Sequence, residues 1–321
     1  MVFCGRFAAR VRWLRAALVA GAAFAVVPVG ESASTPCGAP NAPSTTITIH
    51  QGRVARTALV HVPTGYTGRT PAPLVLNLHG SGSTADEQRL FTGMNRTANR
   101  DGFLVAYPQG AIAEGTGYDW NVPGEPLFDG RQVPAGSPSD VAFVDELVST
   151  LEHSYCIDPH RVYATGFSGG ARMASVLGCS LSGRLTAVAA VSGLRFPACH
   201  ATHAVPVLAF HGTADPVDPY AGHGRAYWTY GVAEAARRWA ARDGCGARPA
   251  LARPAPSVSV TTYRSCRNGA AVVLYTIRGE GHEWPGGPTL PHALTSVLGA
   301  QSSAVDANSV MWRFFSAHPL R

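Results

Sequence analysis

Residues 161–173 read R-V-Y-A-T-G-F-S-G-G-A-R-M and contain the strongest local indication of the fold class. Arg161–Thr165 is typical of a short strand, and a helical pattern follows from Gly170 to about Leu181. The G-x-S-x-G sequence around Ser168 lies between them. A strand that turns so tightly into a helix needs flanking positions without a Cβ, and the turn lifts the serine Oγ clear of the sheet. We therefore predict a nucleophilic Ser168 at a strand-to-helix turn.

Strand and helix patterns alternate on both sides of this turn. Before it, the patterns predict strands at Thr46–His50, Ala58–Val62, Pro73–His79 and Phe103–Tyr107. They also predict a helix over 84–101 and a second helix that begins at the S-P-S-D sequence of residues 137–140, which resembles a capping box with proline at N1. After it, they predict strands at Thr186–Val191, Val205–His211, Ser257–Tyr263 and Ala271–Ile277, and helices at Gly231–Arg242 and Ala304–Ala317. Such alternation predicts one α/β domain with a mostly parallel central sheet and helices on both faces.

A serine is a poor nucleophile without a base, so an acid and a histidine are expected further along the chain. In α/β-hydrolases they follow the serine in that order, each after a strand. Asp215 follows the strand that ends at His211, and His282 follows the strand that ends at Ile277. We predict that His282 acts as general base and that Asp215 holds its tautomer.

Several neighbours compete for these roles. Asp218 is an alternative acid, three residues after Asp215. Glu280 and Glu283 flank His282, and we expect both to face solvent. His79 is expected to brace its loop rather than to transfer protons. No H-E-x-x-H sequence or Cys/His ligand spacing occurs, so neither a metal nor another cofactor is predicted.

The glycine-rich turn after the strand Pro73–His79 is the expected source of a second oxyanion donor. Its sequence, His79-Gly80-Ser81-Gly82, allows close backbone approach to a bound carbonyl oxygen. We predict that the backbone N–H groups of Ser81 and Gly169 form the oxyanion hole. An ordinary strand-to-helix loop is the alternative. Residues 109–136, rich in Gly and Pro and without periodicity, predict a lid or binding loop.

The first 34 residues resemble an export signal. Four arginines precede a 15-residue apolar run, Ala16–Gly30, and Ser32-Ala33-Ser34 supplies small residues for cleavage. The run is shorter than the roughly 20 residues that a membrane-spanning helix needs. We predict a signal peptide over 1–34, a secreted catalytic domain over 35–321 and no membrane association after cleavage. A retained N-terminal anchor is the alternative.

Removal of residues 1–34 lowers the net positive charge of the chain. The whole chain has 26 basic residues, all arginine, against 20 acidic ones, for a net charge of +6. Residues 35–321 keep 22 and 19 of these, for a net charge of +3. Arg237-Arg238 is the only adjacent pair left, and no basic stripe remains to bind a phosphate backbone. Nucleic acid is therefore not a predicted partner.

Six cysteines remain after residue 34, and an even number in an exported chain predicts disulfides. Six cysteines permit 15 connectivities. Local spacing favours Cys245–Cys266 and Cys179–Cys199, which leaves Cys37–Cys156. One or two buried free thiols are the alternative.

Four motifs together resemble a known family: L-H-G-S-G (78–82), G-F-S-G-G-A-R-M (166–173), H-G-T-A-D-P-V-D-P-Y (211–220) and G-H-E-W-P-G-G (281–287). They are similar to the secreted esterase/poly(3-hydroxybutyrate) depolymerase-like family, whose α/β-hydrolase fold is shared with feruloyl and acetylxylan esterases of the first carbohydrate esterase family. The resemblance covers nearly all of 35–321. It implies the same nucleophile, acid and base, Ser168, Asp215 and His282.

The chain departs from the family at two positions and matches it at two aromatic ones. Gly169 stands where the family often has Asn, and Asp218 where it commonly has Val. Trp120 and Trp284 match aromatic positions near the family's cleft. They are candidates to stack on a phenolic ring or a sugar, with burial in the core as the alternative.

The expected function is hydrolysis of a small or polymer-linked carboxylic ester through an acyl-enzyme. Feruloyl or acetyl esters of plant polysaccharide are favoured because extracellular polyester depolymerases generally carry an additional polymer-binding domain. A poly(3-hydroxybutyrate) or short-chain polyhydroxyalkanoate depolymerase is the first alternative. A secreted, non-catalytic hydrolase-like binding protein is the second.

Overall fold

A twisted sheet of ten strands forms the centre of the computed structural model, which describes Cys37, residues 43–198 and residues 200–320. Its strands are β1 (Thr45–Gln51), β2 (Val54–His61), β3 (Ala72–Leu78), β4 (Leu104–Pro108), β7 (Ile157–Phe167), β8 (Ala187–Val191), β9 (Val207–Gly212), β10 (Ala250–Ala255), β11 (Val258–Tyr263) and β12 (Val272–Ile277), and β5 (Ile112–Glu114) with β6 (Gly117–Asp119) forms a separate hairpin. The helices are α1 (Ala85–Thr92), α2 (Met94–Asp101), α3 (Asp140–Ser154), α4 (Gly169–Ser180), α5 (Val232–Arg242), α6 (His292–Leu298) and α7 (Ala307–Ser316).

The strand order places the candidate catalytic loops on one edge. It is β1-β2-β4-β3-β7-β8-β9-β12-β11-β10. The six strands from β4 to β12 are all parallel, while β1, β2, β10 and β11 pair antiparallel at the two ends. Because parallel strands end at the same edge, the loops after β3, β7, β9 and β12 meet there.

Two apolar cores lie on opposite faces of the sheet, which explains why its central strands are almost wholly apolar. Successive residues of β3 point to opposite faces: Leu74 and Leu76 belong to one core and Val75 to the other. On the second face, the ring of Tyr163 stacks on Phe315 of α7 at 4.6 Å between centroids. These observations confirm the predicted α/β-hydrolase architecture, a single domain with helices on both faces of a mostly parallel sheet.

Several elements differ from the predicted ones. The helix predicted over 84–101 is two helices, because Gly93 between them is left-handed (φ 60°). The predicted cap at Ser137 is wrong: Ser139 caps α3 by accepting a hydrogen bond from Ala142 N. The sequence patterns missed β5, β6, β10 and α6. β10 is an exposed edge strand that contains Pro254, so it has neither apolar alternation nor burial to signal it.

Two of the three favoured cysteine pairs are present, Cys37–Cys156 and Cys245–Cys266. Cys179 is also disulfide-bonded, while its favoured partner, Cys199, lies outside the described residues. The predicted signal peptide lies outside them as well. No helix in the described part of the chain is long and apolar enough to cross a membrane.

Candidate active site

The turn after β7 holds Ser168 in a strained conformation. Its backbone has φ 53° and ψ −118°, left-handed geometry that a serine adopts only when its surroundings impose it. A Cβ on Gly166 would lie 2.4 Å from the carbonyl carbon of Gly170, so the chain can turn this sharply only with glycine there. Arg172 N and Ala171 N donate to Ser168 O and close the first turn of α4. Ser168 therefore stands at the head of a buried helix, as the G-x-S-x-G pattern predicts.

The loops after β9 and β12 bring the predicted acid and base together. His282 Nδ1 lies 2.8 Å from Asp215 Oδ2, and both side chains are buried. Asp215 Oδ1 accepts hydrogen bonds from the backbone N–H groups of Val217 and Asp218, each at 2.8 Å. The backbone thus fixes Oδ1 of Asp215, while Oδ2 orients the imidazole of His282.

The residue before Ser168 in the chain packs against His282. The ring of Phe167 lies 4.8 Å from the ring of His282. The described contacts include no hydrogen bond between Ser168 Oγ and His282 Nε2. Catalytic hydrogen bonds of this kind commonly tighten only when substrate binds.

The charges of the acid and base stabilise each other. Burial acts to raise the pKa of Asp215, but the hydrogen bond and charge of His282 lower it below its ordinary value. Burial acts to lower the pKa of His282, but Asp215 raises it above its ordinary value of 6.5. The pair favours an imidazolium next to a carboxylate, which is the charge state that follows proton transfer from a serine.

The alternative acid, Asp218, does not contact His282 through a hydrogen bond. Its side chain is fully buried, and in the described part of the chain neither carboxylate oxygen has a hydrogen-bond partner. Burial raises its pKa, while the positive charges of His282 and Arg172 oppose that rise. The structure pairs His282 with Asp215, and Asp218 adds a second buried carboxyl nearby.

The expectation that Glu280 and Glu283 face solvent is wrong. Their residues are 2% and 1% exposed, and burial raises their pKa to about 8 and about 7. The end of α6 and the residues after it cover the His282 loop: Gly281 N donates to Ala300 O and His282 N to Leu298 O. Local sequence could not reveal this cover because it comes from about 20 residues further along the chain.

The turn after β3 places Ser81 against Gly169. A Cβ on Gly169 would lie 3.0 Å from Ser81 N and 2.2 Å from Ser81 Oγ, so the turn packs closely against this glycine. Neither backbone N–H has an acceptor among the described residues. The helix N-terminus adds a positive dipole end at the same place. Two adjacent unpaired donors beside a serine can stabilise a developing oxyanion.

His79 braces this turn, as predicted. Its Nδ1 lies 2.8 Å from Gly80 O, and its Nε2 accepts a hydrogen bond from Gly110 N at 2.9 Å. Burial lowers its pKa to about 4, so the imidazole is neutral near pH 7. Trp120 Nε1 donates to His79 O at 2.7 Å. Residues 109–136 are therefore fastened to the oxyanion turn and form a wall of the site.

The structure does not support the stacking role of Trp120 and Trp284. They are 1% and 0% exposed, so neither ring offers a face to a ligand. Trp284 Nε1 donates to Asn308 Oδ1 at 3.0 Å, which joins the catalytic loop to α7. Large rings with one polar atom are well suited to such buried positions.

Sequence reasoning missed a clamp on the Ser81 side chain. Ser81 Oγ donates to Asp119 Oδ1 at 2.7 Å and accepts from Arg172 Nη2 at 3.2 Å. Arg172 is buried, pairs with Glu125 at 2.8 Å and lies over the ring of Tyr227. The clamp joins α4, the oxyanion turn and the 109–136 wall. Its signal was Arg172, the one charged residue of α4, one turn after the serine.

The described residues include no group of three or more His, Cys, Asp or Glu side chains arranged to hold a metal ion. The site consists instead of a strained serine, a hydrogen-bonded acid and base, and two free backbone donors. That arrangement can perform acyl transfer from an ester.

Comparison with known proteins agrees with this chemistry. Residues 57–226 match the family model described as esterase PHB depolymerase. The chain is 34% identical over 260 residues to a protein of Nocardia uniformis subsp. tsuyamanensis that bears the name esterase NocK, with 73% of each chain covered. It is 31% identical over 242 residues to feruloyl esterase B of Piromyces equi, covering 71% of this chain and 42% of that protein.

A solved structure supports the fold. The acetyl xylan esterase from Aspergillus awamori superposes with a TM-score of 0.55 over 78% of this chain and 97% of that one, at 14% identity. The fold, the match over more than half of the chain and the esterase relatives agree with one another. The chain belongs to the esterase PHB depolymerase family and is a carboxylic ester hydrolase.

Proposed function

We propose that this protein is a secreted serine esterase that acts through an acyl-enzyme on feruloyl or acetyl esters of plant polysaccharide. The observation that carries the proposal is the Asp215–His282 hydrogen bond at 2.8 Å beside the strained turn of Ser168. Ser168 is the nucleophile, His282 the general base and Asp215 the acid that orients it.

In the proposed reaction, Ser168 Oγ attacks the ester carbonyl carbon while His282 Nε2 takes the hydroxyl proton. The oxyanion receives hydrogen bonds from the N–H groups of Ser81 and Gly169. Collapse of the tetrahedral intermediate breaks the bond to the alcohol, which leaves with the proton from His282. Water then attacks the acyl-enzyme by the same route and releases the acid.

The proposed substrate class is inferred from sequence similarity to related proteins. The relative from Piromyces equi is named a feruloyl esterase, and the motifs in this chain resemble a group that includes acetylxylan esterases. The family description also names polyhydroxybutyrate depolymerase, which makes polyester the competing substrate. A panel of methyl ferulate, acetylated xylan and a poly(3-hydroxybutyrate) suspension separates them. Release of 3-hydroxybutyrate faster than release of ferulate or acetate would refute the polysaccharide assignment.

Export is part of the same proposal. A signal peptide over 1–34 would deliver residues 35–321 to an oxidising compartment, where disulfides such as Cys37–Cys156 persist. N-terminal sequencing of protein from the culture medium tests the cleavage. Intact residues 1–34 on the exported protein would favour the anchor instead.

The Ser168→Ala variant tests the mechanism. Hydrolysis of p-nitrophenyl acetate should fall at least about 10⁴-fold, because the acyl-enzyme cannot form. Mass spectrometry of the wild type after reaction with a fluorophosphonate should show one adduct, on the peptide that contains Ser168. Equal rates in the two proteins would support the non-catalytic alternative.

A further inference from the structure

A groove lies on the sheet face next to α7, at the end opposite β1. Its walls come from β10, β11, β12 and α7, and its volume is about 570 Å³. Arg253, Arg264 and Arg313 line it together with Tyr275, Phe314 and His318, and we call this surface the arginine groove. A neighbouring hollow of about 400 Å³ shares Arg264, Phe314 and His318 with it. The two hollows are therefore contiguous.

The three arginines have no counter-ion within the described residues. Arg253, Arg264 and Arg313 are exposed, and among the described residues no ion pair or hydrogen bond involves the guanidinium group of any of them. No Asp or Glu lines the groove. Several arginines elsewhere do form ion pairs, as in Arg184 with Glu152 and Arg237 with Glu234. Three unpaired guanidinium groups around one cleft attract a negatively charged ligand.

The groove also presents rings and apolar surface. Tyr275 and Phe314 are half-buried, so part of each ring remains accessible. The rings of Phe314 and His318 lie 4.4 Å apart. Val260 and Val273 continue the apolar floor. A ligand that fits must combine negative charge with apolar faces, since aromatic rings gain most from partly apolar partners.

Charge excludes a second copy of this chain as the occupant. Two copies that met through this groove would place the same three arginines against each other, and like charges at close range are repulsive. The concave shape is also unlike a surface that rests on a flat membrane. An acidic polymer satisfies both the charge and the shape.

We propose that the arginine groove binds acidic polysaccharide through its uronate carboxylates. Planar guanidinium groups bind carboxylates with two parallel hydrogen bonds, and sugar rings offer C–H faces to Tyr275 and Phe314. This inference deepens the proposed function, on which it rests for the polysaccharide class. A site outside the catalytic loops would tether the polymer and raise the local concentration of its ester groups.

Affinity electrophoresis tests the groove directly. The Ser168→Ala protein, which cannot cleave the polymer, is run in native gels that contain polygalacturonate, neutral arabinoxylan or poly-glutamate. We expect polygalacturonate to retard it most. The triple change Arg253→Gln, Arg264→Gln and Arg313→Gln should weaken that binding at least about tenfold, as loss of several charge-assisted pairs implies. Added salt should weaken wild-type binding.

A matched triple variant controls for net charge. Arg53, Arg69 and Arg96 are exposed arginines away from the groove, and the described contacts include no ion pair for any of them. Their change to Gln removes the same charge and should alter binding less than twofold. Equal losses in the two triple variants would overturn the proposal. Stronger retardation by arabinoxylan or poly-glutamate would overturn the uronate assignment. If the wild type is a dimer and the groove variant is a monomer, the groove is a self-association surface and the proposal is overturned.

Activity on methyl ferulate separates this inference from the proposed function. The groove variant with Ser168 intact should hydrolyse this small ester at the wild-type rate, which also shows that it is folded. A wild type that binds polygalacturonate but hydrolyses no ester would refute the esterase mechanism and leave the groove standing. A wild type that hydrolyses methyl ferulate but is not retarded by polygalacturonate would refute the groove proposal and leave the esterase mechanism standing.

Discussion

The catalytic edge and the arginine groove contain opposite kinds of ionisable group in opposite environments. Around His282 the ionisable groups are mostly acidic and buried: Asp215, Asp218, Glu280 and Glu283 are each at most 5% exposed. In the groove the charge is basic and exposed, as at Arg313. The net charge of the chain therefore describes neither region.

The difference shows what each kind of charge can do. A buried carboxylate is costly unless it has a partner, so it acts on its nearest neighbours and shifts their pKa. Exposed guanidinium groups lose little by remaining unpaired in water and stay available for a ligand. The first arrangement suits catalysis and the second suits binding.

The largest test of the catalytic edge is Asp215→Asn. An amide at this position favours the wrong tautomer of His282, so kcat should fall about 10³–10⁴-fold in hydrolysis of p-nitrophenyl acetate. Asp218→Asn is the matched control, because Asp218 has no hydrogen bond to His282, and should cost less than about tenfold. Retardation in polygalacturonate should be unchanged in both. A greater loss in Asp218→Asn would reassign the acid.

A smaller loss is expected from Arg172→Met. Without the guanidinium, Ser81 Oγ loses one of its two side-chain hydrogen-bond partners, and the direction of the Ser81 backbone N–H becomes less fixed. Arg172 is a positioning residue, so we expect kcat to fall about 10-fold to 100-fold with KM nearly unchanged. Arg184→Met, which removes an ion pair elsewhere, is the control. A rise in KM at constant kcat would assign Arg172 to ground-state binding instead.

The pH profile measures how strongly the buried acids act on His282. Its pKa is raised above 6.5 because the hydrogen bond and charge of Asp215 outweigh burial, with Asp218 and Glu283 adding to the rise. The imidazole must be neutral to act as base, so kcat/KM should fall about tenfold per pH unit below that raised pKa. Asp218→Asn should move this midpoint to lower pH. A profile that is flat from pH 5 to 8 would exclude His282 as base.

The smallest effect concerns stability. Burial raises the pKa of Glu280 from 4.5 to about 8, so the folded protein keeps a proton that the unfolded chain loses. The free energy of unfolding should therefore fall as pH rises from about 4.5 to about 8. The Glu280→Gln variant should have the same Tm as the wild type near pH 4.5, and a Tm at least about 2–4 °C higher at pH 8. Glu146→Gln, at an exposed helix position, should leave Tm unchanged at both; an equal rise in it would contradict the burial argument.

The six parallel strands of the sheet and the order of the candidate catalytic residues could be predicted from the sequence. Apolar runs such as Val205–His211 signal buried strands, and the G-x-S-x-G pattern signals a tight strand-to-helix turn, because both depend on steric rules that act over a few residues. Asp215 and His282 could be proposed for the same reason, since each directly follows a strand.

The surroundings of those residues could not be predicted, because they are formed by contacts between distant parts of the chain. The residues from 298 to 300 cover the loop that holds Glu280 and Glu283, the 109–136 wall supplies Asp119 and Glu125 to the clamp on Ser81, and α7 completes the arginine groove. In each case the partner comes from a distant part of the chain. Burial and pairing are properties of such long-range contacts, and no local pattern of residues encodes them.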